Sequence, residues 1–381
     1  MKQSLKSWVL IAMMISSAMV MAQVENHNVA LQSILDKACK KKKNTIAGVS
    51  LTVKSPELNI DFSGSSGFDS TERQNPVRVE QPFRIASLTK VFVATAILRL
   101  YEKGLLSLQD PISNYISEEH IAILKDGGYN PELITIRHCL THTSGLYDYA
   151  EGGPEYIEEA SKDPNKRWTR TEQIQFAMDN GKPHAAPGKE HHYSDTGYVL
   201  LGEIIEQRNK SGLAEGLREL LKFDDLGMSA TYLESLEKRP DSLSPNVKRY
   251  LGTMDASNWD NSIDLYGGGG LVSNTKDLSV FLQALFNGRI FDSPDTLDVM
   301  LLKKEFDANG KELPEQRLGF GSIVGKKSGL EVYMHSGFWG TLFMHIPEYN
   351  CSIAMNYTYD GDSTALQETI DYVLELGKKE K

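Results

Sequence analysis

Ala86-Ser-Leu-Thr-Lys90-Val-Phe-Val-Ala-Thr95-Ala-Ile-Leu-Arg-Leu100-Tyr-Glu-Lys103 decides how this chain of 381 residues folds. Val91, Phe92, Val93, Ala94, Ala96, Ile97, Leu98 and Leu100 are apolar around nearly the whole circumference of a helix, and Gly104 is placed to end it. A helix with no polar face has to be covered by other elements. The same stretch carries Ser87 and Lys90 one turn apart, about 5 to 6 Å between Cβ atoms, so a neutral lysine can take the serine proton during attack on a carbonyl.

Ser-x-x-Lys alone is a weak pattern, and the chain holds three copies. Ser235-Leu-Glu-Lys238 lies in a charged segment that Pro240 interrupts, and reads as surface. Ser273-Asn-Thr-Lys276 follows Gly267-Gly-Gly-Gly270 and precedes the helical run Leu278 to Phe286, so Ser273 reads as a helix cap. Ser87 instead opens the buried helix. There the positive end of the dipole favours an alkoxide and disfavours a protonated Lys90, and apolar surroundings push the lysine pKa down further.

Outward from this helix, the N-terminal side reads as a helix from near Val29 to the Lys40–Lys43 run, whose cations suit a helix C-terminus. Ala47 to Val53 and Leu58 to Ser63 follow as a hairpin around Ser55-Pro56-Glu57. From about Leu105 to Leu265 the signals are mainly helices and loops, punctuated by Pro111, Pro131, Pro154, Pro183 and Pro187, and strand signals return only afterwards. Strands return at Gly319 to Gly325, Glu331 to His335, Thr341 to Ile346 and Ser352 to Tyr357, before a closing helix from about Ser363 to Leu376. Short connections imply antiparallel pairing. The fold class expected is α/β (α+β): one antiparallel sheet built from both chain ends and flanked by helices, with a mainly helical lobe inserted. The sheet lobe takes about 23–80 and 266–381, the helical lobe about 81–265, and the cleft between them is the natural site.

Two further segments supply polar groups to such a cleft. In His191-His-Tyr-Ser-Asp195-Thr-Gly-Tyr-Val, Tyr193 and Asp195 stand in a turn after Pro187-Gly188 and just before a helix, where Asp195 or Thr196 can also cap. In Tyr333-Met-His335-Ser336-Gly337-Phe338, His335 near a strand end can hold a carboxylate or donate a hydrogen bond, while the strand edge offers backbone N–H groups.

Composition limits the function classes. Lys2 and Lys6, the apolar run from Trp8 to about Met21 and the small-residue pattern ending at Ala22 read as a signal peptide over residues 1–22, too short for a spanning helix. No cysteine follows the cleavage site, so no lipid anchor and no stable membrane anchor are expected, and the destination is secreted or periplasmic. A formal charge of −10, more negative still without the leader, opposes nucleic-acid binding. Cys39, Cys139 and Cys351 lack disulfide or zinc spacing, and His184, His191 and His192 lack the helical spacing and acidic partner of a metal site. No metal and no cofactor are expected.

Phe83-Arg-Ile-Ala-Ser87-Leu-Thr-Lys90, Ile136-Arg-His-Cys-Leu-Thr-His-Thr-Ser-Gly145-Leu, the motif at Tyr193, the glycine run before Leu271-Val-Ser273 and His335-Ser336-Gly337 come in one order. In that order the chain resembles the serine β-lactamase and penicillin-binding-protein superfamily, especially its class C β-lactamase, DD-peptidase and esterase branch. The resemblance implies one catalytic domain over 23–381 with a β-lactamase/transpeptidase-like fold. It implies Ser87 as the acylated nucleophile, Lys90 as proton acceptor and Tyr193 as proton shuttle to the leaving group. His335 takes the place of the lysine in the Lys-Thr-Gly triplet, Ser336, Gly337 and Phe338 line the substrate, and the N–H groups of Ser87 and Phe338 form the oxyanion hole. The family's Tyr-x-Asn is Tyr193-Ser194-Asp195 here, which sets a carboxylate beside Lys90 and works to raise the lysine pKa. The histidine triplet is more similar to peptidase and esterase members than to dedicated β-lactamases. The substrate expected is a small molecule or peptide: a cell-wall peptide, a D-amino-acid peptide, an ester or a β-lactam.

Overall fold

The computed structural model describes residues 24–40, 47–301, 329–359 and 364–379. The expected signal peptide and the expected strand at Gly319 to Gly325 lie outside the described residues. Helix α1 covers 24–40, and β1 (Gly48–Ser55) and β2 (Ile60–Gly67) form the first hairpin. The middle of the chain carries β3 (Phe83–Arg84), α2 (Thr89–Glu102), α3 (Glu118–Asp126), α4 (Ile136–Leu140), α5 (Glu155–Lys162), α6 (Arg170–Asn180), α7 (Asp195–Asn209) and α8 (Leu213–Leu220). After them come β4 (Tyr232–Leu233), β5 (Tyr250–Leu251), β6 (Met254–Asp255), β7 (Leu271–Ser273), α9 (Thr275–Phe286) and α10 (Pro294–Met300). The chain closes with β8 (Tyr333–Gly337), β9 (Thr341–Ile346), β10 (Cys351–Thr358) and α11 (Thr364–Lys379).

Both chain ends build one five-stranded sheet in the order β2-β1-β10-β9-β8, and the pairs β1·β2, β1·β10, β10·β9 and β8·β9 are antiparallel. The sheet is covered on both faces, which is why β1, β9 and β10 read as nearly unbroken buried runs. On one face Val49, Leu51, Val53, Met344, Ile353 and Met355 pack with Leu31 and Leu35 of α1 and Val373 of α11. On the other, Phe343 and Ala354 join the large cluster of the helical lobe. Polar pairs cross there as well: Thr52 Oγ1 meets Thr275 Oγ1 at 2.9 Å, and Gln283 donates to Ser352 Oγ at 2.8 Å.

Helix α2 is buried from Thr89 to Leu100, as its apolar circumference requires. Phe92 stacks on Phe281 of α9 with centroids 3.9 Å apart and meets Phe223 edge-on at 5.9 Å. Two expectations need correction. Strands do not return only after Leu265: β4, β5 and β6 lie within the mainly helical stretch, β4 pairing with β7 and β5 with β6, and two-residue strands show no periodicity. Ser273 is not the cap of α9. It belongs to β7 and its hydroxyl meets Thr231 Oγ1 at 2.8 Å, while Asn274 Oδ1 accepts the Asp277 N–H at 2.8 Å and does the capping.

Candidate active site

Ser87 sits in a single 3-10 turn, Ala86–Leu88, between β3 and α2. Ala86 has φ +47°, a left-handed value that a residue with a Cβ adopts only when its surroundings impose it, so the turn that presents Ser87 is strained. What imposes it is the edge strand. Gly337 lies so close that a Cβ there would come 2.3 Å from the Ile85 carbonyl oxygen, and Thr341 Oγ1 donates to that same oxygen at 3.0 Å. The turn after β8, with Phe338 and Trp339, is thereby held beside Ser87.

Lys90 is fully buried, and its ammonium has three acceptors: Ser87 Oγ at 3.0 Å, the Gly268 carbonyl at 2.7 Å and Asp195 Oδ1 in a close ion pair. Three acceptors use all three protons of –NH3+, with no lone pair left over. Burial pulls the Lys90 pKa down, as expected of an apolar helix. Asp195 and then Tyr193 push it up by more, so the net shift is upward and the resting lysine is charged. The expected depression by helix end and apolar surroundings is therefore overturned, chiefly by Asp195.

Asp195 reaches Lys90 from the first turn of α7, which Ser194 caps; neither Asp195 nor Thr196 is the cap. The glycine run is what lets the third acceptor in. A Cβ on Gly268 would lie 2.6 Å from Asp195 Oδ1, and one on Gly267, at φ +130°, would lie 2.3 Å from the Tyr198 carbonyl oxygen. Only bare backbone can pass α7 this closely.

Tyr193 precedes the cap, with Lys90 Nζ 4.9 Å from its ring centroid and its hydroxyl interacting with both Lys90 and Ser87. Burial raises the Tyr193 pKa and Lys90 opposes the rise, so the phenol is neutral and able to donate. The His142 ring stacks on Tyr193 with centroids 4.3 Å apart and accepts the Ser194 N–H on Nδ1 at 3.1 Å. His142 was visible in the sequence only as part of a longer motif without a role of its own.

His335 is buried in β8, and its pKa is lowered to about 4 by burial first and then by the Lys90 charge. Its Nδ1 lies 2.7 Å from the Ser336 carbonyl oxygen, which can only accept, so Nδ1 carries the proton and Nε2 is a bare acceptor in the neutral ring. A neutral ring supplies no charge to hold a carboxylate. Ser336 is exposed on the strand, and Phe338 is exposed at the cleft mouth.

The cleft at Ser87 is lined by acids that sequence reading passed over. Asp264 and Glu151 line it together with Asp195, Tyr156, Phe338 and Trp339. The Asp264 pKa is raised to about 6 by burial, opposed by Arg84 and Arg249. Asp148 is buried nearby, and burial followed by the charge of Asp195 holds its carboxyl well above the usual range. The other two Ser-x-x-Lys copies take no part: Ser235 offers its carbonyl to Arg167, and Lys276 pairs with Glu80. His184 and His192 stack on each other with centroids 4.4 Å apart, and His191 lies edge-on to His142. All three cysteines are free thiols. Among the described residues no helix is long and apolar enough to cross a membrane.

The Beta-lactamase family model matches residues 18–378. Esterase EstB of Burkholderia gladioli is 30% identical over 210 residues, which cover 52% of this chain and 49% of that protein. D-alanyl-D-alanine-carboxypeptidase/endopeptidase AmpH of Escherichia coli K12 is 26% identical over 261 residues, 68% of this chain and 60% of that protein. The chain thus matches about half to three-fifths of the length of these curated relatives. Among solved structures, D-amino acid amidase from Ochrobactrum anthropi SV3, complexed with L-phenylalanine amide, superposes with a TM-score of 0.73 at 26% identity and covers 92% of this chain and 98% of that one.

Proposed function

The chain belongs to the beta-lactamase family, and on that premise we propose that it is an exported serine hydrolase working through an acyl-enzyme on small peptide, amide or ester carbonyls. The observation that carries this reading is the contact of Ser87 Oγ with Lys90 Nζ at 3.0 Å, at the floor of a cleft. The leader over residues 1–22 supports export. The neutral His335 and the acid-lined cleft favour amide or ester substrates without a carboxylate over anionic β-lactams, in keeping with the amidase and the esterase among its relatives.

In this reading the resting ammonium of Lys90 first gives one proton to Asp195, a neutral amine–acid pair being the cheaper one once substrate has displaced water. The freed lone pair accepts the Ser87 proton as Oγ bonds to the carbonyl carbon, and the N–H groups of Ser87 and Phe338 hold the oxyanion. As the tetrahedral adduct collapses, Tyr193 donates its proton to the departing nitrogen or oxygen and regains one from Lys90. Water, deprotonated by the same groups, then releases the acyl chain and restores Ser87.

A panel of nitrocefin, a D-Ala-D-Ala peptide and p-nitrophenyl esters on wild type and Ser87→Ala tests the reading. Turnover of an ester or peptide that disappears in Ser87→Ala supports it, and turnover retained in the variant refutes it. The buried Lys90–Asp195 pair favours one second reading, a binder or sensor that acylates once. A burst of one equivalent with a stable adduct would distinguish that case from many turnovers.

A further inference from the structure

The cleft at Ser87 is a pocket of about 70 Å3 with apolar walls that include Tyr156, Ile157, Phe338 and Trp339. The charged side chains in its lining are three carboxylates, Glu151, Asp195 and Asp264, and among the described residues no lysine, arginine or histidine joins them. Asp195 is neutralised by Lys90 behind it. The other two carry charge that no partner offsets.

Glu151 is exposed at the cleft, and its carboxylate makes no ion pair or hydrogen bond among the described residues. Asp264 is only partly exposed and equally without a partner there. Its Oδ1 is enclosed, whereas Oδ2 keeps open surface and lies against the glycine run, where a Cβ on Gly269 would stand 2.7 Å from it. Arg84 is engaged by Glu234 at 2.7 Å, and both Arg84 and Arg249 act on Asp264 only from beyond ion-pair distance. A half-enclosed carboxylate without partners is relieved by an incoming cation.

His335 points the same way independently. It is 7% exposed, and its Nε2 has no partner among the described residues yet is not sealed off. The ring projects from the sheet face that packs on the helical lobe: its neighbour across the ladder, Phe343, belongs to that lobe's cluster, and Gly337, two residues on along the same face, abuts the Ile85 carbonyl beside the Ser87 turn. With the proton on Nδ1, Nε2 asks a substrate for an N–H or O–H rather than a carboxylate. Free acceptors and uncompensated negative charge, with the one nearby ammonium already spent on its own acceptors, call for a substrate that brings donors and positive charge.

We propose that the cleft selects acyl groups bearing an ammonium, that is, amides and esters of α-amino acids, with Glu151 and Asp264 as the counter-ions. The pocket is small and Ser87 is part of its lining, so the cation has to lie within a bond or two of the carbonyl that Ser87 attacks. This substrate class rests on the acyl-transfer reading of Ser87, but the selectivity can be measured apart from turnover.

Alanine p-nitroanilide and its des-amino isostere propionyl p-nitroanilide test it, as binding to Ser87→Ala by titration calorimetry and as kcat/KM in wild type, at about pH 7, where the amine is protonated and the carboxylates are ionised. The better-bound enantiomer of the alanine compound should bind about tenfold or more tightly than the isostere, the scale of a charge-assisted hydrogen bond. In the Ser87→Ala background, Glu151→Gln and Asp264→Asn should each cut the preference several-fold and together erase it, while Glu151→Asp, which keeps the charge, should retain part of it. Equal affinity for the two compounds in Ser87→Ala, or a preference that survives the double substitution, overturns the proposal. The preference in a protein that turns over no ester or anilide would sink the acyl-transfer reading and leave the ammonium subsite standing; Ser87-dependent turnover without the preference would do the reverse.

Discussion

Lys90 of α2 and Asp195 of α7, 105 residues apart, form an ion pair in which the lysine is wholly enclosed and the aspartate nearly so. Because Lys90 also donates to Ser87 and to Gly268, one buried charge ties together Ser87, the start of α7 and the glycine run. Breaking such a pair by removing one partner leaves the other charge buried and uncompensated, at a cost of about 3–5 kcal/mol.

Asp195→Asn follows directly. The substitution removes the charge that pushes the Lys90 pKa up and leaves burial, which pulls it down. Lysine then loses its proton at lower pH. With no carboxylate left to take that proton, Lys90 must lose it to solvent, so kcat/KM for a p-nitrophenyl ester should gain an alkaline ascending limb that wild type lacks, and profiles of the same shape would mean that Asp195 does not control Lys90.

His335 gives a stability signature. Its pKa falls from 6.5 in the ordinary ring to about 4 in the fold, so between these values the native protein binds fewer protons than the unfolded chain. Its contribution is therefore fully present above pH 6.5 and is lost as pH drops toward 4, by about 3 kcal/mol at most. Denaturant melts across that window should show a shallower acid limb in His335→Gln than in wild type; parallel limbs would contradict the assignment.

Gly337→Ala tests how the edge strand holds the turn that presents Ser87. The new Cβ would stand 2.3 Å from the Ile85 carbonyl oxygen and equally close to Thr341 Oγ1, so β8 must shift away from Ser87. Overpacking of this kind costs about 1–3 kcal/mol. Acylation of Ser87 by an activated phosphonate should slow by more than the loss of folded protein explains, whereas an unchanged rate per folded molecule would show that the contact does not position the site.

Much of this architecture is written locally in the chain. The apolar circumference of α2 and the alternating or continuous runs of β1, β9 and β10 are short-range signals, and the antiparallel pairing of β1 with β2 and of β9 with β8 and β10 follows from short connections, whereas β1 meets β10 from the opposite end of the chain. Ser87, Lys90 and Tyr193 could be named because each lies in a compact motif, although nothing local says that the hydroxyl of Tyr193 lies by Lys90 and Ser87.

What could not be read depends on long-range approach. The Gly268 carbonyl is a Lys90 acceptor only because the chain passes α7 at a distance that excludes a Cβ, and a backbone oxygen has no sequence signature. Asp148 and Asp264 look like loop carboxylates until the fold buries them near Asp195. Ser273 passed for a cap because serine and asparagine cap equally well, and the choice between Ser273 and Asn274 rests on the pairing of β7 with its neighbours. The direction of the Lys90 shift was legible as two opposed tendencies; which one prevails depends on how closely Asp195 approaches.

Every step proposed for this cleft requires that Ser87 be the acylated nucleophile. Intact-protein mass spectrometry after incubation with a fluorophosphonate, followed by peptide mapping, measures it most directly. One adduct per chain on the peptide containing Ser87, absent from Ser87→Ala and slowed about 100-fold or more in Lys90→Ala, is the predicted result. An adduct of equal yield in Ser87→Ala, or one mapping to Ser235 or Ser273, would contradict it.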